Sequence, residues 1–337
     1  MILNSLHLKN YRCFESLEVD FTPTSGLLVI VGGNGAGKTT LLSAACAALA
    51  PILTRLPLSK RPTSTGILPS DIHLESFDHA APFAYLAATG CINASEPVAW
   101  DRIRYRDTTR ATKQLAPTLR NDTKLLHQQI DAIIDAHNQR QPYTVPVFAY
   151  YSTNRAVDVP QYRLKPPAIP TTFRRLMALD NALERKTDFR RAVGWFDLLE
   201  QRELREVRDG MQTPEATYCL SAVRRAIESM IPGIALPRID GATGRFAVNT
   251  RDPLGTTIRM HLDQLSDGYQ VMLGVVMDFA LRLAVANPPQ TEQDDPLQSK
   301  AILMIDEVDL HLHPLWQQRV IPDLRRTFPN TQLILTT

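Results

Sequence analysis

Cysteine is scarce in this sequence of 337 residues, which has only four, and no two of them stand in C-x-x-C spacing. This scatter argues against both a zinc knuckle and a disulfide framework. The sequence also lacks an uninterrupted apolar run of about 20 residues, the length that a membrane span needs. Its first residues lack the basic-then-apolar layout of a signal peptide. We therefore expect a cytoplasmic protein with no contact to a membrane.

A large net charge is missing as well, since the formal net charge is +2, but the charge is unevenly distributed. Residues 101–225 contain 22 Lys and Arg against 15 Asp and Glu, whereas the remainder contains 15 against 20. The middle of the chain is therefore a candidate for contacting nucleic-acid phosphates or an acidic partner. An Arg-rich helical surface in solvent explains the same excess equally well, so both interpretations stay open.

The most informative stretch is LLVIVGGNGAGKTTLLSAACAAL, which joins a buried-type strand over residues 27–31, a glycine-rich turn and a helix. Gly32, Gly37, Lys38 and Thr39 fill the pattern G-x-x-x-x-G-K-[ST] in the strand-loop-helix setting of a phosphate loop. In such a loop, backbone N–H groups and the helix N-terminus surround the phosphates, and the lysine reaches the β- and γ-phosphates. The threonine hydroxyl binds Mg²⁺. The stretch predicts an ATP site.

A second apolar run, residues 301–305, has the composition of a parallel strand and ends in Asp306 and Glu307. Asp306 can hold Mg²⁺, and Glu307 can polarise a water aligned with the γ-phosphate. Acidic residues often follow strands, so this pair gains its meaning from the phosphate loop. Together they predict ATP hydrolysis with Glu307 and Lys38 as catalytic residues, and with Thr39 and Asp306 as the Mg²⁺ ligands.

The turn L-S-D-G-Y-Q, residues 265–270, precedes a helix whose apolar residues recur at spacings of three and four. By residue type alone, Ser266 and Asp267 are ordinary N-cap residues. Between a phosphate loop and an Asp-Glu strand, however, the turn resembles the signature motif of the ABC-type ATPase superfamily. This resemblance implies that Ser266 and Gly268 bind the γ-phosphate of an ATP held by a second subunit.

Two further stretches point to a branch of that superfamily. The opening LHLKNYRCFESLEVDF, with Tyr11, Arg12 and Phe14 between two short strands, resembles the start of chromosome-maintenance, recombination and repair ATPases. D-L-H-L-H-P after the Asp-Glu pair looks like soluble defence and repair ATPases, which implies that His311 and His313 lie near a dimer seam. The ATP contacts implied by the resemblance are Gly32, Asn34, Gly35, Ala36, Gly37, Lys38, Thr39, Thr40, Arg12, Ser266 and Gly268.

The implied fold class is α/β, a P-loop NTPase of the ABC-ATPase head type with a helical lobe or insertion. We expect residues 1–97 to form the first part of the ATPase core, residues 98–235 a net-basic helical lobe and insertion, and residues 236–337 the second part of the core. Inside the middle segment we expect a strand over residues 98–105, a helix over residues 118–137 that is too short for a coiled coil, and an amphipathic helix over residues 190–207.

The last apolar strand, TQLILTT, leads us to expect that the sequence is part of a longer polypeptide, because a central strand without a following helix leaves one sheet face poorly covered. In the superfamily, a histidine that contacts the γ-phosphate commonly follows such a strand, so the alternative to a longer polypeptide is an ATPase that lacks this contact.

The stretches Y-Y-S-T-N-R and W-F-D-L-L-E are similar to the ATPase subunits of Septu-type and retron-associated anti-phage systems. That resemblance implies an ATP-binding and ATP-hydrolysing regulatory subunit that works as an ATP-sandwiched homodimer or higher oligomer and controls a partner nuclease. Two alternatives stay open: a DNA-bound repair ATPase clamp, and the N-terminal ATPase part of a nuclease of the overcoming-lysogenisation-defect type. We expect Trp195 and Phe196 to pack inside the lobe, and we regard Asn154 and Arg155 as candidates near the nucleotide or a partner.

Overall fold

The computed structural model describes residues 1–21, 26–58, 66–76, 79–92, 96–154, 175–184, 189–210, 215–231, 233–251, 255–288, 291 and 293–337. The strands are β1 Ile2–Tyr11, β2 Phe14–Asp20, β3 Leu27–Ile30, β4 Leu74–Ser76, β5 His79–Ala80, β6 Phe83–Cys91, β7 Val98–Tyr105, β8 Val147–Tyr151, β9 Ala235–Ile239, β10 Phe246–Arg251, β11 Thr257–His261, β12 Ala301–Ile305 and β13 Thr331–Thr336. The α-helices are α1 Lys38–Arg55, α2 Arg110–Gln114, α3 Lys124–Asn138, α4 Phe189–Arg208, α5 Glu215–Met230, α6 Asp267–Ala286, α7 Pro314–Gln317 and α8 Val320–Thr327.

A parallel sheet in the order β3-β13-β12-β8 forms the centre of the molecule. Its inner strands, β12 and β13, are fully buried, as their unbroken apolar character requires when both faces are covered. The edge strand β3 is only half-buried and ends at Ile30, one residue before the predicted end, and the side chain of Val31 is 76% exposed. Because the sheet is parallel, all four strands direct their carboxyl ends toward one edge.

An antiparallel sheet in the order β2-β1-β6-β7 lies beside the parallel one. Gln332 in β13 joins the two sheets, because its side chain accepts a hydrogen bond from Leu3 N and donates to the carbonyls of Leu3 and Phe21. Helix α1 contacts β1, β6 and β13, and its alanine-rich length is buried between them. The helix that follows the phosphate loop is thus fixed by both sheets.

The helical lobe consists of α4, α5 and α6, which pack on one another, and of the small sheet β11-β10-β9. Trp195 and Phe196 are buried there, as predicted, and Phe196 meets Phe246 edge to face with ring centroids 5.2 Å apart. Helix α6 is long and apolar enough to cross a membrane, but 89% of its most apolar window is buried inside the protein. In this fold it is therefore a core helix, as its burial shows.

The middle of the chain differs from the prediction in two ways. The predicted helix over residues 118–137 begins only at Lys124, because Asp122 pairs with Asp101 as an isolated β-bridge and Asn121 accepts a hydrogen bond from the backbone N–H of Ile103. The segment predicted as a helical lobe also supplies one strand to each sheet of the core, since β7 pairs with β6 and β8 pairs with β12. Residues 98–151 therefore contribute to the core as well.

Candidate nucleotide site

The candidate site lies at the carboxyl edge of the parallel sheet, where open α/β sheets commonly bind ligands. The phosphate loop follows β3, the Asp-Glu pair follows β12, and Thr336 ends β13 between them. Neighbouring strands lie about 4.8 Å apart, so the loop and the carboxylates face each other across one strand. Residues more than 260 positions apart in the sequence, Thr39 and Asp306, are thereby in contact.

The phosphate loop has the backbone conformation that its glycines permit. Gly35 and Gly37 have φ angles of 83° and 93°, in the left-handed region that favours glycine, and Gly37 directly precedes α1. A Cβ on Gly37 would lie 2.5 Å from the ring of Phe14 and 2.8 Å from Cys13 Sγ. The turn between β1 and β2 therefore packs directly against the loop, and only glycine fits at residue 37.

The loop residues named as ATP contacts are exposed from Gly32 to Ala36 and half-buried at Gly37, Lys38 and Thr40. The Lys38 ammonium donates hydrogen bonds to the carbonyls of Gly32 and Gly33 across the loop. The first N–H groups of a helix have no acceptor within that helix. The loop therefore combines a cation and the positive end of α1 at one exposed place, where an anion is favoured.

A short chain of hydrogen bonds joins the loop to the Asp-Glu pair. The Thr39 hydroxyl donates to Asp306 Oδ2 at 2.8 Å, and the Thr336 hydroxyl donates to Asp306 Oδ1 at 2.7 Å. Asp306 has no exposed surface, so these bonds stabilise its buried charge. A threonine hydroxyl beside a carboxylate is a set of hard oxygen donors that suits Mg²⁺, and these two residues would hold the ion.

Thr336 is a site residue that the sequence did not reveal. Its hydroxyl also accepts a hydrogen bond of 2.7 Å from the backbone N–H of Glu307, and its carbonyl accepts one from Val308 N. Glu307 has a φ of 47°, which is uncommon for a residue other than glycine and is found at strained functional positions. Thr336 therefore fixes the direction in which Glu307 leaves the strand. The sequence signal that could have indicated this role is a hydroxyl-bearing residue at the end of the last strand.

Arg12 lies near α1 but is engaged with another residue. Its Nε donates to Asp71 Oδ1 at 2.8 Å, its backbone N–H donates to the carbonyl of Asp71, and its Nη1 lies 3.4 Å from the Ser43 hydroxyl. Arg12 has a φ of 50° in the two-residue turn between β1 and β2. Its contact with ATP stays a prediction, which requires the guanidinium to reach past the first turns of α1.

The signature-like turn presents Ser266 to solvent. Ser266 is the N-cap residue of α6, yet within the described part of the chain its hydroxyl does not cap that helix. Gly268 is buried, and a Cβ there would lie 2.6 Å from the carbonyl oxygen of His311. The ring of Tyr269 packs on Trp316 with centroids 4.6 Å apart. The turn is thus held closely by the loop after β12, with its serine left available.

The two histidines of that loop have different roles. His311 is exposed and has a φ of 67°, whereas the His313 ring accepts a hydrogen bond from Leu315 N and caps α7. In the described residues, no three His, Cys, Asp or Glu side chains are grouped as metal ligands would be. Asn154 follows β8 and is exposed near the same sheet edge, while Arg155 lies outside the described residues.

A buried polar network connects the signature helix with the strand next to β12. The Tyr151 hydroxyl and the Arg282 Nε both donate to Asp278 Oδ2 at 2.7 Å, and the Asp306 backbone N–H donates to the Tyr151 carbonyl. Burial raises the pKa of Tyr151 well above its usual range, and the negative charge of Asp278 raises it further. Burial opposes the charge of Asp278, but Arg282 and Arg191 hold its pKa below the usual value. The network is therefore charged at neutral pH.

The arrangement of a phosphate loop, an Asp-Glu strand and a signature-like turn on a head with a helical lobe defines an ABC-type ATPase head. The chain belongs to the family described as AAA domain (AAA_23), whose model matches residues 5–232. The fold is similar to the crystal structure of an SMC head bound to the C-winged helix domain of ScpA, with a TM-score of 0.56 and 15% identity. The match covers 100% of this chain and 90% of the chain in that structure. The predicted fold class is confirmed.

Relatives by sequence also match the predicted branch. The retron Ec83 probable ATPase of Escherichia coli is 26% identical over 389 residues, which cover 98% of this chain and 67% of that protein. The Septu protein PtuA of Bacillus mycoides (strain KBAB4) is 34% identical over 76 residues, or 23% of this chain and 10% of that protein. The predicted resemblance to retron-associated and Septu-type ATPases is confirmed.

Proposed function

We propose that the protein binds and hydrolyses ATP at the carboxyl edge of its parallel sheet. The observation that carries this proposal is the 2.8 Å hydrogen bond between the Thr39 hydroxyl and Asp306, which unites the phosphate loop with the strand that ends in Glu307. The loop supplies the cation Lys38 and the N-terminus of α1 for the β- and γ-phosphates. Bound Mg²⁺, held by Thr39 and Asp306, would neutralise phosphate charge.

In this mechanism, Glu307 accepts a proton from the water that attacks the γ-phosphate. Its carboxylate leaves the strand next to Asp306, and Thr336 holds its backbone N–H, so the base stands beside the magnesium ligand without replacing it. Lys38 stabilises the negative charge that develops on the transferred group. Thr336 and Tyr151 are positioning residues, because they hold Asp306 and Glu307 through hydrogen bonds.

We further propose that hydrolysis requires two subunits with ATP between them. The Ser266 hydroxyl is exposed and does not cap its own helix within the described residues, although serine is a preferred N-cap. A second molecule's ATP would supply the acceptor for that hydroxyl, and the N-terminus of α6 favours the anion. The turn is therefore proposed as one half of a composite site.

Mixing two defective subunits tests this arrangement. Ser266→Arg places a bulky cation in the turn, and Lys38→Ala disables the phosphate loop, so each homodimer should be inactive. A heterodimer has one composite site with both defects and one with neither, and the mixture should therefore recover part of the wild-type turnover. Two results together would contradict the two-subunit site. The first is no recovery of turnover in a mixture in which heterodimers are shown to form. The second is that Glu307→Gln does not dimerise on addition of ATP, as measured by light scattering.

We propose that this ATPase acts in the cytoplasm as the regulatory subunit of an anti-phage defence complex and controls a partner nuclease. The similarity to a retron ATPase over almost the whole chain supports this role. Affinity purification from the native host followed by mass spectrometry tests it, with Lys38→Ala as the matched bait. Recovery of a nuclease whose activity depends on ATP supports the proposal. A complex containing DNA-repair factors and no nuclease favours the clamp instead.

A further inference from the structure

A cavity of about 520 Å³ lies between the end of α1, strand β7 and the start of α3, apart from the candidate nucleotide site. It is far from the phosphate loop, because Lys38 begins α1 and the lining residue Thr54 lies in its last turn, and 16 residues of helix span about 24 Å. Its volume lies within the range of about 300–1,000 Å³ that is usual for small-molecule sites. The proposed ATPase reaction uses none of its residues.

The charge of the cavity lining is one-sided. Arg102, Arg104 and His127 line it, and none of the described lining residues is Asp or Glu. Arg102 is half-buried, whereas Arg104 is exposed and donates to the carbonyl of Ile67 at 3.3 Å, which fixes it at the rim. Two arginines and a histidine around one hollow form a receptor for an anion.

Burial shifts the pKa of two lining residues, and neighbouring cations contribute to the shift of one of them, His127. Burial lowers the pKa of Arg102, so its positive charge lies where solvent stabilises it poorly. Burial also lowers the pKa of His127, and the positive charges of Arg55 and Arg102 lower it further against the opposing charge of Asp131. Asp131 is held by Arg55 through two hydrogen bonds of 2.6 Å. Arg55 and Arg102 therefore both disfavour protonation of His127, as nearby cations do.

The rest of the lining combines apolar and neutral polar groups. Pro51, Ile67 and Leu68 are its apolar lining residues; Pro51 and Ile67 are buried, whereas Leu68 is 43% exposed. The Thr123 hydroxyl lies 3.4 Å from His127 Nδ1 beside the cations. A ligand that fits this lining has an anionic group at one end and a flat or apolar group at the other.

We propose that this cavity binds the phosphate of a nucleotide, either a free mononucleotide or the 5′-terminal nucleotide of a strand, at a site separate from the ATP site. Phosphate fits better than a carboxylate, because a phosphate monoester carries a charge of about −1.5 to −2 and three acceptor oxygens, which the three side chains Arg102, Arg104 and His127 can share. Arginine binds such a group through two parallel hydrogen bonds. The base then lies against the exposed side chain of Leu68. The site gives part of the basic excess of residues 101–225 a specific role.

Binding measurements on the full chain test the proposal in the Lys38→Ala background, which should weaken nucleotide binding at the phosphate loop at least about 100-fold. The probes are AMP, a short 5′-phosphorylated oligodeoxynucleotide and the same oligonucleotide with a 5′-hydroxyl. Arg104→Glu should lower the affinity for phosphorylated probes at least about tenfold, the loss of one charge-assisted contact. Arg110→Glu is the matched control, because Arg110 is also exposed and does not line the cavity, and it should leave the affinity unchanged.

An independent readout uses the unsubstituted cavity. A bound phosphate next to His127 should raise the pKa of that imidazole, which NMR titration with and without AMP measures directly. Binding of AMP assigns the site to a free nucleotide, and binding of the phosphorylated oligonucleotide alone assigns it to a strand end. Equal affinity for the 5′-hydroxyl oligonucleotide, an unmoved His127 pKa with either phosphorylated probe, or no binding of any probe overturns the proposal.

Discussion

The phosphate loop and the signature-like turn both place a polar loop before a helix, but they are completed in different ways. The loop before α1 contacts the Asp-Glu pair of the same chain, because the Thr39 hydroxyl donates a hydrogen bond to Asp306. The turn before α6 is packed from behind by the carbonyl of His311 against Gly268, and its Ser266 hydroxyl is exposed. The first region thus joins two parts of the candidate site within one chain, whereas the second is a closely packed turn with an exposed serine. Substitutions in the two regions should therefore affect different steps.

The largest effect is expected from Lys38→Ala in the phosphate loop. Removal of the ammonium that faces the β- and γ-phosphates should lower ATP affinity at least about 100-fold and abolish turnover. Isothermal titration calorimetry measures the affinity. Lys113→Ala is the control, because Lys113 is exposed on α2 and distant in sequence from both regions. Unchanged ATP affinity in Lys38→Ala would remove the assignment of the loop.

The next largest effect is expected from Glu307→Gln. The variant should bind ATP normally and lose turnover by about two orders of magnitude or more, because the proton acceptor is gone while the magnesium ligand Asp306 remains. Steady-state phosphate release and ATP-dependent dimerisation measure the two properties. Glu18→Gln serves as the matched control, because Glu18 is an exposed glutamate on β2. Wild-type turnover in Glu307→Gln would show that another residue is the base.

A pair of glycine substitutions sharpens the comparison between the two regions. Gly37→Ala forces a left-handed backbone on alanine and a clash with Phe14. It should therefore reduce ATP binding itself, making the binding free energy less favourable by about 1–3 kcal/mol. Gly268→Ala clashes with the carbonyl of His311, so it should reduce turnover and leave ATP binding intact. Gly33→Ala, which has open space, is the control. Equal loss of ATP binding in both variants would contradict the division of roles.

The smallest effect is expected from Thr336→Val. This change removes one hydroxyl that serves both Asp306 and Glu307, and it should lower the free energy of unfolding by about 1–3 kcal/mol and turnover by about tenfold. Thr331→Val is the matched control in the same strand, because its buried hydroxyl has no hydrogen-bond partner among the described residues. Chemical denaturation should show it to be neutral or stabilising. A larger loss in Thr331→Val than in Thr336→Val would contradict the role of Thr336.

Patterns of local origin were predicted well from the sequence. The phosphate loop, the strand before Asp306 and the helix of Trp195 are each set by neighbouring residues, because glycines, apolar runs and helical periodicity act over a few turns or less. The start of α3 was predicted too early because its position depends on a contact with a distant part of the chain. Residues 121 and 122 are held by β7, a strand that the helical pattern does not include.

The sequence by itself determined the chemistry at each end of the site: the ammonium of Lys38, the carboxylates of Asp306 and Glu307, and the serine before α6. Only the tertiary structure decided that β13 lies between β3 and β12, and so made Thr336 the residue that holds both carboxylate-bearing positions. It also decided that Arg12 is bonded to Asp71. The physical reason is that strand order and side-chain partners depend on contacts between distant residues, which no local spacing encodes.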